Sequence, residues 1–153
     1  MFGLVTKRGL MKRLDVARIE RALEEAEQKS SGEIRVSVAP LFWGSVRAEA
    51  ERAFERLGMT NTKERNGVLF FVVPSRRRFV VLGDEGIHRK VGDDFWRAVV
   101  DAVTRKFHQG DFTGGLVDGI HAVGDRLAEH FPHAGEADVN ELPNTVDFGP
   151  EPP

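Results

Sequence analysis

The sequence predicts an α/β fold, in which a small mixed β-sheet is covered by helices on both faces as an α/β/α sandwich. The apolar run Gly67–Val73 has no polar interruption, which is typical of a central strand buried on both faces. Amphipathic patterns with helical spacing lie before and after this run. A chain of 153 residues with 41% hydrophobic content fits one domain with a substantial core.

The remaining elements follow from periodicity and from start and stop signals. Asp15 is a suitable N-cap for the first helix, and strict alternation of Ile34, Val36 and Val38 with polar residues indicates the first strand. The short turn after the central strand implies an antiparallel hairpin. In chain order, the predicted elements are a helix at 16–29, a strand at 33–39, a helix at 46–57, strands at 67–73 and 78–82, and helices at 93–107 and 116–130.

This pattern divides the chain into three parts. Residues 1–13 form an N-terminal extension, residues 14–132 form the α/β domain, and residues 133–153 form a C-terminal tail. The tail contains four prolines and few core residues, so we expect it to be extended or partly disordered. It can fold back on the domain or serve as a tether.

Composition narrows the class of function. The net charge of −2 gives no electrostatic footprint of a nucleic-acid partner, and the absence of cysteine excludes thiol catalysis and cysteine zinc sites. No apolar run approaches the roughly 20 residues of a membrane span, and the N-terminus does not resemble a signal peptide. We therefore expect a soluble, cytoplasmic monomer that can have a protein partner.

Five carboxylates surround the junction between the third predicted strand and the third predicted helix. Asp84 and Glu85 follow the strand, Asp93 and Asp94 begin the helix, and Glu33 begins a neighbouring strand. Calcium takes six to eight oxygen ligands, so these side chains can form a Ca²⁺ or Mg²⁺ site if the strands bring them to one edge of the sheet. Alternatively, Asp93 and Asp94 only cap the helix, while Asp84 and Glu85 are solvated acids of the preceding loop.

Basic and imidazole groups accompany these acids. Arg65 can pair with Glu33 or with Asp84, which would tie the loop before the central strand to the proposed site. His88 and Arg89 can contact a bound phosphate, or they can neutralise the acids without any metal. The sequence leaves both interpretations open.

Two further segments are unusual for connectors. Phe42 and Trp43 are large apolar residues in a polar loop, and they can either cover the open end of the sheet or contact a partner. The run Arg76–Arg78 can bind phosphate, nucleic acid or an anionic membrane, but at a hairpin such charge usually keeps a sheet edge soluble. We prefer the second interpretation of the arginines.

The chain contains five short motifs: Ser31-Gly-Glu-Ile-Arg-Val36, Arg65-Asn-Gly-Val-Leu69, Gly83-Asp-Glu-Gly-Ile87, Phe107-His-Gln-Gly-Asp111 and Gly115-Leu-Val-Asp-Gly-Ile120. In their order and spacing, these motifs resemble those of the TPM domain family over residues 14–132. The segment Asp138-Val-Asn-Glu-Leu142 is similar to the tail of the short bacterial branch.

The resemblance implies an α/β sandwich, divalent-cation binding in some members, often of calcium, and an acid-phosphatase activity claimed for some. Other relatives act as accessory factors. The chain contains no Cys-x5-Arg motif, no Asp-x-Asp nucleophile loop and no phosphate-binding glycine loop, so no catalytic residue is predicted. We expect a binding or accessory module; the alternatives are metal-dependent hydrolysis of a phosphomonoester and a purely structural domain.

Overall fold

The computed structural model describes residues 14–133, 135 and 142–150. Within these ranges the predicted order of helices and strands is confirmed. The elements are α1 (Val16–Lys29), β1 (Glu33–Val38), α2 (Val46–Arg56), β2 (Gly67–Val73), β3 (Arg78–Gly83), α3 (Glu85–His108) and α4 (Phe112–His130), with a short 3-10 turn at Pro74–Arg76. No helix of the described part is long and apolar enough to cross a membrane.

The three strands form one mixed sheet in the order β1-β2-β3. β1 runs parallel to β2, with Glu33 opposite Gly67. β3 runs antiparallel to β2, with Arg78 opposite Val73, which confirms the predicted hairpin. Every residue of β2 is buried, because helices cover both faces of the sheet.

Alternate residues of β2 point to two separate cores. Val68 and Phe70 face the larger core, which α1, α3 and α4 complete. Leu69 and Phe71 face a smaller core beneath α2. The predicted covering of both faces is thus confirmed, with three helices on one side and one on the other.

Two helices begin earlier than the sequence predicts. α3 begins at Glu85 and not at Asp93, so the segment interpreted as an acidic loop is helical up to a kink at Gly92, where φ is 76° and ψ is 174°. Asp84 makes this start possible, because its carboxylate accepts a hydrogen bond from the backbone N–H of Glu85 at 2.8 Å. α4 similarly begins at Phe112, where Asp111 caps the helix ahead of two glycines.

The C-terminal segment 142–150 folds back against the domain. Asp147 bridges to the outer edge of β1: Val38 N–H donates to the Asp147 carbonyl at 2.8 Å, and Asp147 N–H donates to the Val36 carbonyl at 2.9 Å. Its carboxylate accepts hydrogen bonds from the Ser37 hydroxyl at 2.7 Å and from both terminal nitrogens of Arg56 at 2.8 and 3.1 Å. The tail therefore protects a strand edge that would otherwise be open to other chains.

These contacts determine the ionisation of Asp147. Burial raises the pKa of its carboxyl, but the hydrogen bonds from Arg56 and Ser37 outweigh burial and hold the pKa below its ordinary value. A carboxyl whose pKa is lowered by folding stabilises the native state above its unfolded pKa, and this contribution is lost as the pH falls through the native pKa.

We predict that Asp147→Asn lowers the free energy of unfolding at pH 7 by about 1–2 kcal/mol, because the charge-assisted hydrogen bonds are lost and the pair is only partly screened by solvent. As the pH falls below about 4 the gap between the variant and the wild type should narrow, and it should close only below the lowered native pKa, where the wild-type carboxyl is protonated in the folded state. Urea denaturation across this pH range measures both effects. Asp125→Asn, at an exposed position of α4, is the control; a constant gap between Asp147→Asn and wild type at all pH values would contradict the account.

Candidate functional site

The first candidate region is the end of the sheet where β1 and β2 begin and β3 ends, which we call the acidic end. Here the backbone N–H of Glu33 donates to the carbonyl of Asn66 at 3.4 Å, and the N–H of Asp84 donates to the carbonyl of Gly67 at 2.8 Å. The fold therefore places Glu33 and Asp84 at the same end of the sheet, on either side of the entry to β2.

Asp84 is the organising group of this end. It is 7% exposed, and Arg65 binds it in a bidentate manner, with Nε to Oδ2 at 2.6 Å and Nη2 to Oδ1 at 2.9 Å. The same carboxylate caps α3. Arg65 has a left-handed backbone conformation with φ of 51°, which turns the chain into β2 beside Asp84.

The positive charge of Arg65 compensates the negative charge of Asp84. The hydrogen bonds to Asp84 raise the pKa of Arg65, and one terminal nitrogen of Arg65 lies 3.5 Å from the Glu85 carboxylate. Of the two partners that the sequence allows for Arg65, the structure pairs it with Asp84. The Arg65 guanidinium consequently occupies both oxygens of the Asp84 carboxylate, which a bound cation would need as ligands.

The other predicted acids lie on the exposed side of α3. His88 bridges the kink: its Nε2 is 3.7 Å from Asp93, and its Nδ1 accepts a hydrogen bond from the indole N–H of Trp96 at 3.1 Å. Asp94 has a side chain that is 98% exposed. Arg89 reaches the Glu85 carboxylate at 3.6 Å. Of these groups, His88, Asp93 and Trp96 line an open cleft of about 560 Å³ along β3, which does not include the Arg65–Asp84 pair.

The described residues contain no group of three or more histidine, aspartate or glutamate side chains placed to hold a metal ion. Glu33 is itself buried, at 3% exposure. Asn66 is fully buried beside it, and its side-chain oxygen has no hydrogen-bond partner within the described ranges. The sequence assigns no site role to Asn66, and only its place before the central strand could have indicated one.

A glycine makes the acidic end possible. Gly86 lies in the first turn of α3, where its N–H donates to the carbonyl of Arg65 at 2.8 Å. A Cβ atom at this position would lie 2.6 Å from the Arg65 carbonyl and would collide with the Glu64 carbonyl. Only glycine allows the helix to approach the loop this closely.

The second candidate region is at the opposite end of the sheet, where β1 and β2 end and β3 begins. It contains residues 41–44, which we call the tryptophan loop. The two aromatic residues that the sequence singles out have different environments. Phe42 packs on Phe71 with ring centroids 6.4 Å apart, whereas Trp43 is 91% exposed. Leu41 is 38% exposed, and these two are the exposed large hydrophobic residues of the described part.

Arg76 fixes the position of this loop. One terminal nitrogen donates to the carbonyl of Gly44 at 2.8 Å and to the carbonyl of Phe42 at 3.3 Å, and the guanidinium lies 5.4 Å from the Phe42 ring centroid. A cavity of about 510 Å³ lies beside the loop, between α2 and the C-terminal segment. The exposed indole is therefore held out on an ordered loop, next to a partly apolar cavity.

We predict that the stability of the acidic end decreases in the order wild type, Asp84→Asn, Asp84→Ala. The asparagine loses the ion pair but keeps an acceptor for the helix cap, and alanine loses both, so the two variants should differ by about 1 kcal/mol in unfolding free energy. Asp93→Asn, at an exposed acid of the same helix, should stay within about 0.5 kcal/mol of wild type. Equal stability of the two Asp84 variants would show that the cap contributes nothing.

Comparison with known proteins agrees with the fold. The family model of the TPM domain matches residues 4–126. A solved structure of BA42 protein from the psychrophilic bacterium Bizionia argentinensis is 41% identical, with a TM-score of 0.81; the alignment covers 91% of this chain and 94% of that one. The search of curated proteins gives no match.

Two more distant structures share the fold alone. The N-terminal domain of cg2496 protein from Corynebacterium glutamicum is 15% identical, with a TM-score of 0.57 over 85% of this chain and 75% of that one. The N-terminal domain of a protein from P. gingivalis is 23% identical, with a TM-score of 0.56 over 86% and 83% of the two chains. The family match and the close structural relative together show that the chain belongs to the TPM domain family.

Proposed function

We propose that this TPM domain is a non-enzymatic binding module whose contact surface is the tryptophan loop. The observation that carries the proposal is Trp43, a large apolar side chain that is 91% exposed at the tip of an ordered loop. Tryptophan is enriched where binding energy is concentrated at interfaces, because its burial removes a large apolar area from water.

The packing around the loop supports this role. Phe42 already covers the sheet end through its contact with Phe71, so Trp43 is not needed for that purpose. Arg76 holds the backbone on both sides of Trp43, which reduces the conformational entropy that binding would remove. An exposed tryptophan that contributes little to the core is explained best by a contact outside the domain.

We predict that a photo-crosslinking amino acid at position 43 captures a partner in cells of the source organism. The same amino acid at position 94 is the matched control, because Asp94 is equally exposed but lies on α3. Mass spectrometry of the adducts should give a product at position 43 that is absent at position 94. Trp43→Ala should change the unfolding free energy by no more than about 0.5 kcal/mol.

Two results would contradict this proposal. Identical adducts at positions 43 and 94 would indicate random collision and not a contact surface. A large loss of stability in Trp43→Ala would show that the indole serves the fold, contrary to its exposure.

A second candidate function is divalent-cation binding at the acidic end, as the sequence and the family resemblance predict. Asn66 favours it, since a fully buried side-chain oxygen without a partner among the described residues is an available ligand at the same end of the sheet as Glu33 and Asp84. The Arg65 guanidinium opposes it, because a cation that binds Asp84 has to displace this arginine. We therefore expect weak binding.

The test is a titration of labelled protein with Ca²⁺ and then Mg²⁺, followed by amide chemical shifts. If the site exists, saturable shifts should be centred on Glu33, Asn66 and Asp84. Arg65→Gln should then strengthen binding by removing the competing charge, whereas Asp84→Asn should abolish it. Asp94→Asn is the control acid, and no response at millimolar cation would reject the site.

Hydrolysis of a phosphomonoester, the alternative that the family resemblance suggests, remains a prediction. It needs a metal-activated water or a nucleophile, together with positive charge near the phosphoryl oxygens. At the acidic end the charge of Arg65 is directed to Asp84. A metal-dependent reaction there would require the cation site first, so the titration decides whether an assay is worthwhile.

A further inference from the structure

We propose that the tryptophan loop and the neighbouring arginine hairpin, residues 75–78, form a docking surface for an anionic phospholipid bilayer. This inference rests on the proposed function, because it names the partner of the same contact surface. It departs from the interpretation of the arginines that the sequence alone favours, in which their charge only protects a sheet edge. Three features of the structure support it.

The first feature is that the two segments are joined. Arg76 belongs to the hairpin, yet its guanidinium donates to the carbonyls of Phe42 and Gly44 in the loop. Arg77, at the turn, has a left-handed backbone with φ of 50° and an exposed side chain. Arg78 is exposed at the start of β3, and alternation along that strand places it on the α2 side of the sheet, where Phe42 also packs. The loop and the arginines thus belong to one surface.

The second feature is local charge. Residues 38–48 and 74–83 together contain four arginines and no aspartate or glutamate, although the whole chain has a net charge of −2. Of the acids that follow in α2, Glu49 is paired with Arg52 and Glu51 with Arg47 at 3.2 Å, so the positive charge of this surface comes from the three arginines of the hairpin. An anionic bilayer attracts such a basic surface, and the attraction acts within a Debye length of the headgroups.

The third feature is the direction of the apolar groups. Trp43 borders the cavity beside α2, but its 91% exposure shows that the ring projects from the surface and is not enclosed by the cavity wall. Leu41 is exposed on the same loop, while Phe42 between them is tucked inward. A projecting indole and leucine beside arginines fit the headgroup region, which takes the amphipathic ring and the guanidinium groups together.

The test is co-sedimentation of the full chain with vesicles of phosphatidylcholine and phosphatidylglycerol in equal amounts, and with vesicles of phosphatidylcholine alone. We expect binding to the anionic vesicles only, weakened by added salt. In a Trp96→Phe background, which leaves Trp43 as the single fluorophore, emission should shift to shorter wavelength on binding. Circular dichroism confirms that each variant is folded.

Variants separate the contributions. Arg77→Glu with Arg78→Glu should lower the vesicle affinity by about fivefold or more per residue, and Trp43→Ala should lower it as well. Arg18→Glu with Arg21→Glu makes the same change of charge on α1, at exposed positions on the other side of the sheet, and should retain most of the binding. An equal loss in this control would show that only net charge matters, which would overturn the proposal.

The outcomes also distinguish this inference from the proposed function. Failure to bind anionic vesicles, equal binding to neutral vesicles, or binding without a change in Trp43 emission would reject the bilayer. If a specific protein adduct still formed at position 43, the binding module would stand with a protein as its partner. If neither vesicles nor adducts engaged position 43, both proposals would fail.

Discussion

The burial of β2 on both faces is the constraint on which the rest of the structure depends. A strand of seven residues that is buried throughout requires apolar layers above and below it, and the helices supply them. β1 cannot remain open at its outer edge either, and the C-terminal segment around Asp147 closes that edge. The ends of the sheet are then the places where side chains can act without disturbing the core.

The two ends use charge differently. At the acidic end, the buried carboxylate of Asp84 caps α3 and forms an ion pair with Arg65. It therefore connects the end of β3 and the start of α3 to the loop before β2. At the opposite end, Arg76 positions a loop, and the exposed groups beside it are apolar or positive. The first arrangement is typical of a structural junction, and the second is typical of a contact surface.

Local signals in the sequence were sufficient for most of the fold. The unbroken apolar run of β2 and the alternation of Ile34, Val36 and Val38 each have one structural interpretation, because the pleat fixes which side chains share a face. The first part of α3 was not predicted as helical, because the glycines between residues 83 and 92 are typical of a loop. In fact Gly86 permits a close helix–loop contact, and the single break is at Gly92, where φ is positive.

Contacts between distant segments were beyond sequence reasoning. No periodicity indicates that Asp147 pairs with Arg56 across 91 positions of the chain, or that Arg65 selects Asp84 over Glu33. Phe42 packs inward and Trp43 is exposed because of the path of the loop. Arg76, in the turn between β2 and β3, fixes that path. The sequence therefore indicated Phe42 and Trp43 as a candidate contact segment. It did not indicate that the arginine hairpin belongs to the same surface.

The two tryptophans of the chain report on the two ends of the sheet separately, which makes fluorine NMR of protein labelled with 5-fluorotryptophan the most direct test. We expect two resonances. That of Trp43 should show a large solvent isotope shift and should broaden when anionic vesicles are added, while that of Trp96, hydrogen-bonded to His88, should stay unchanged. A response at Trp96 with an unaffected, solvent-shielded Trp43 would contradict the assignment of the contact surface to the tryptophan loop.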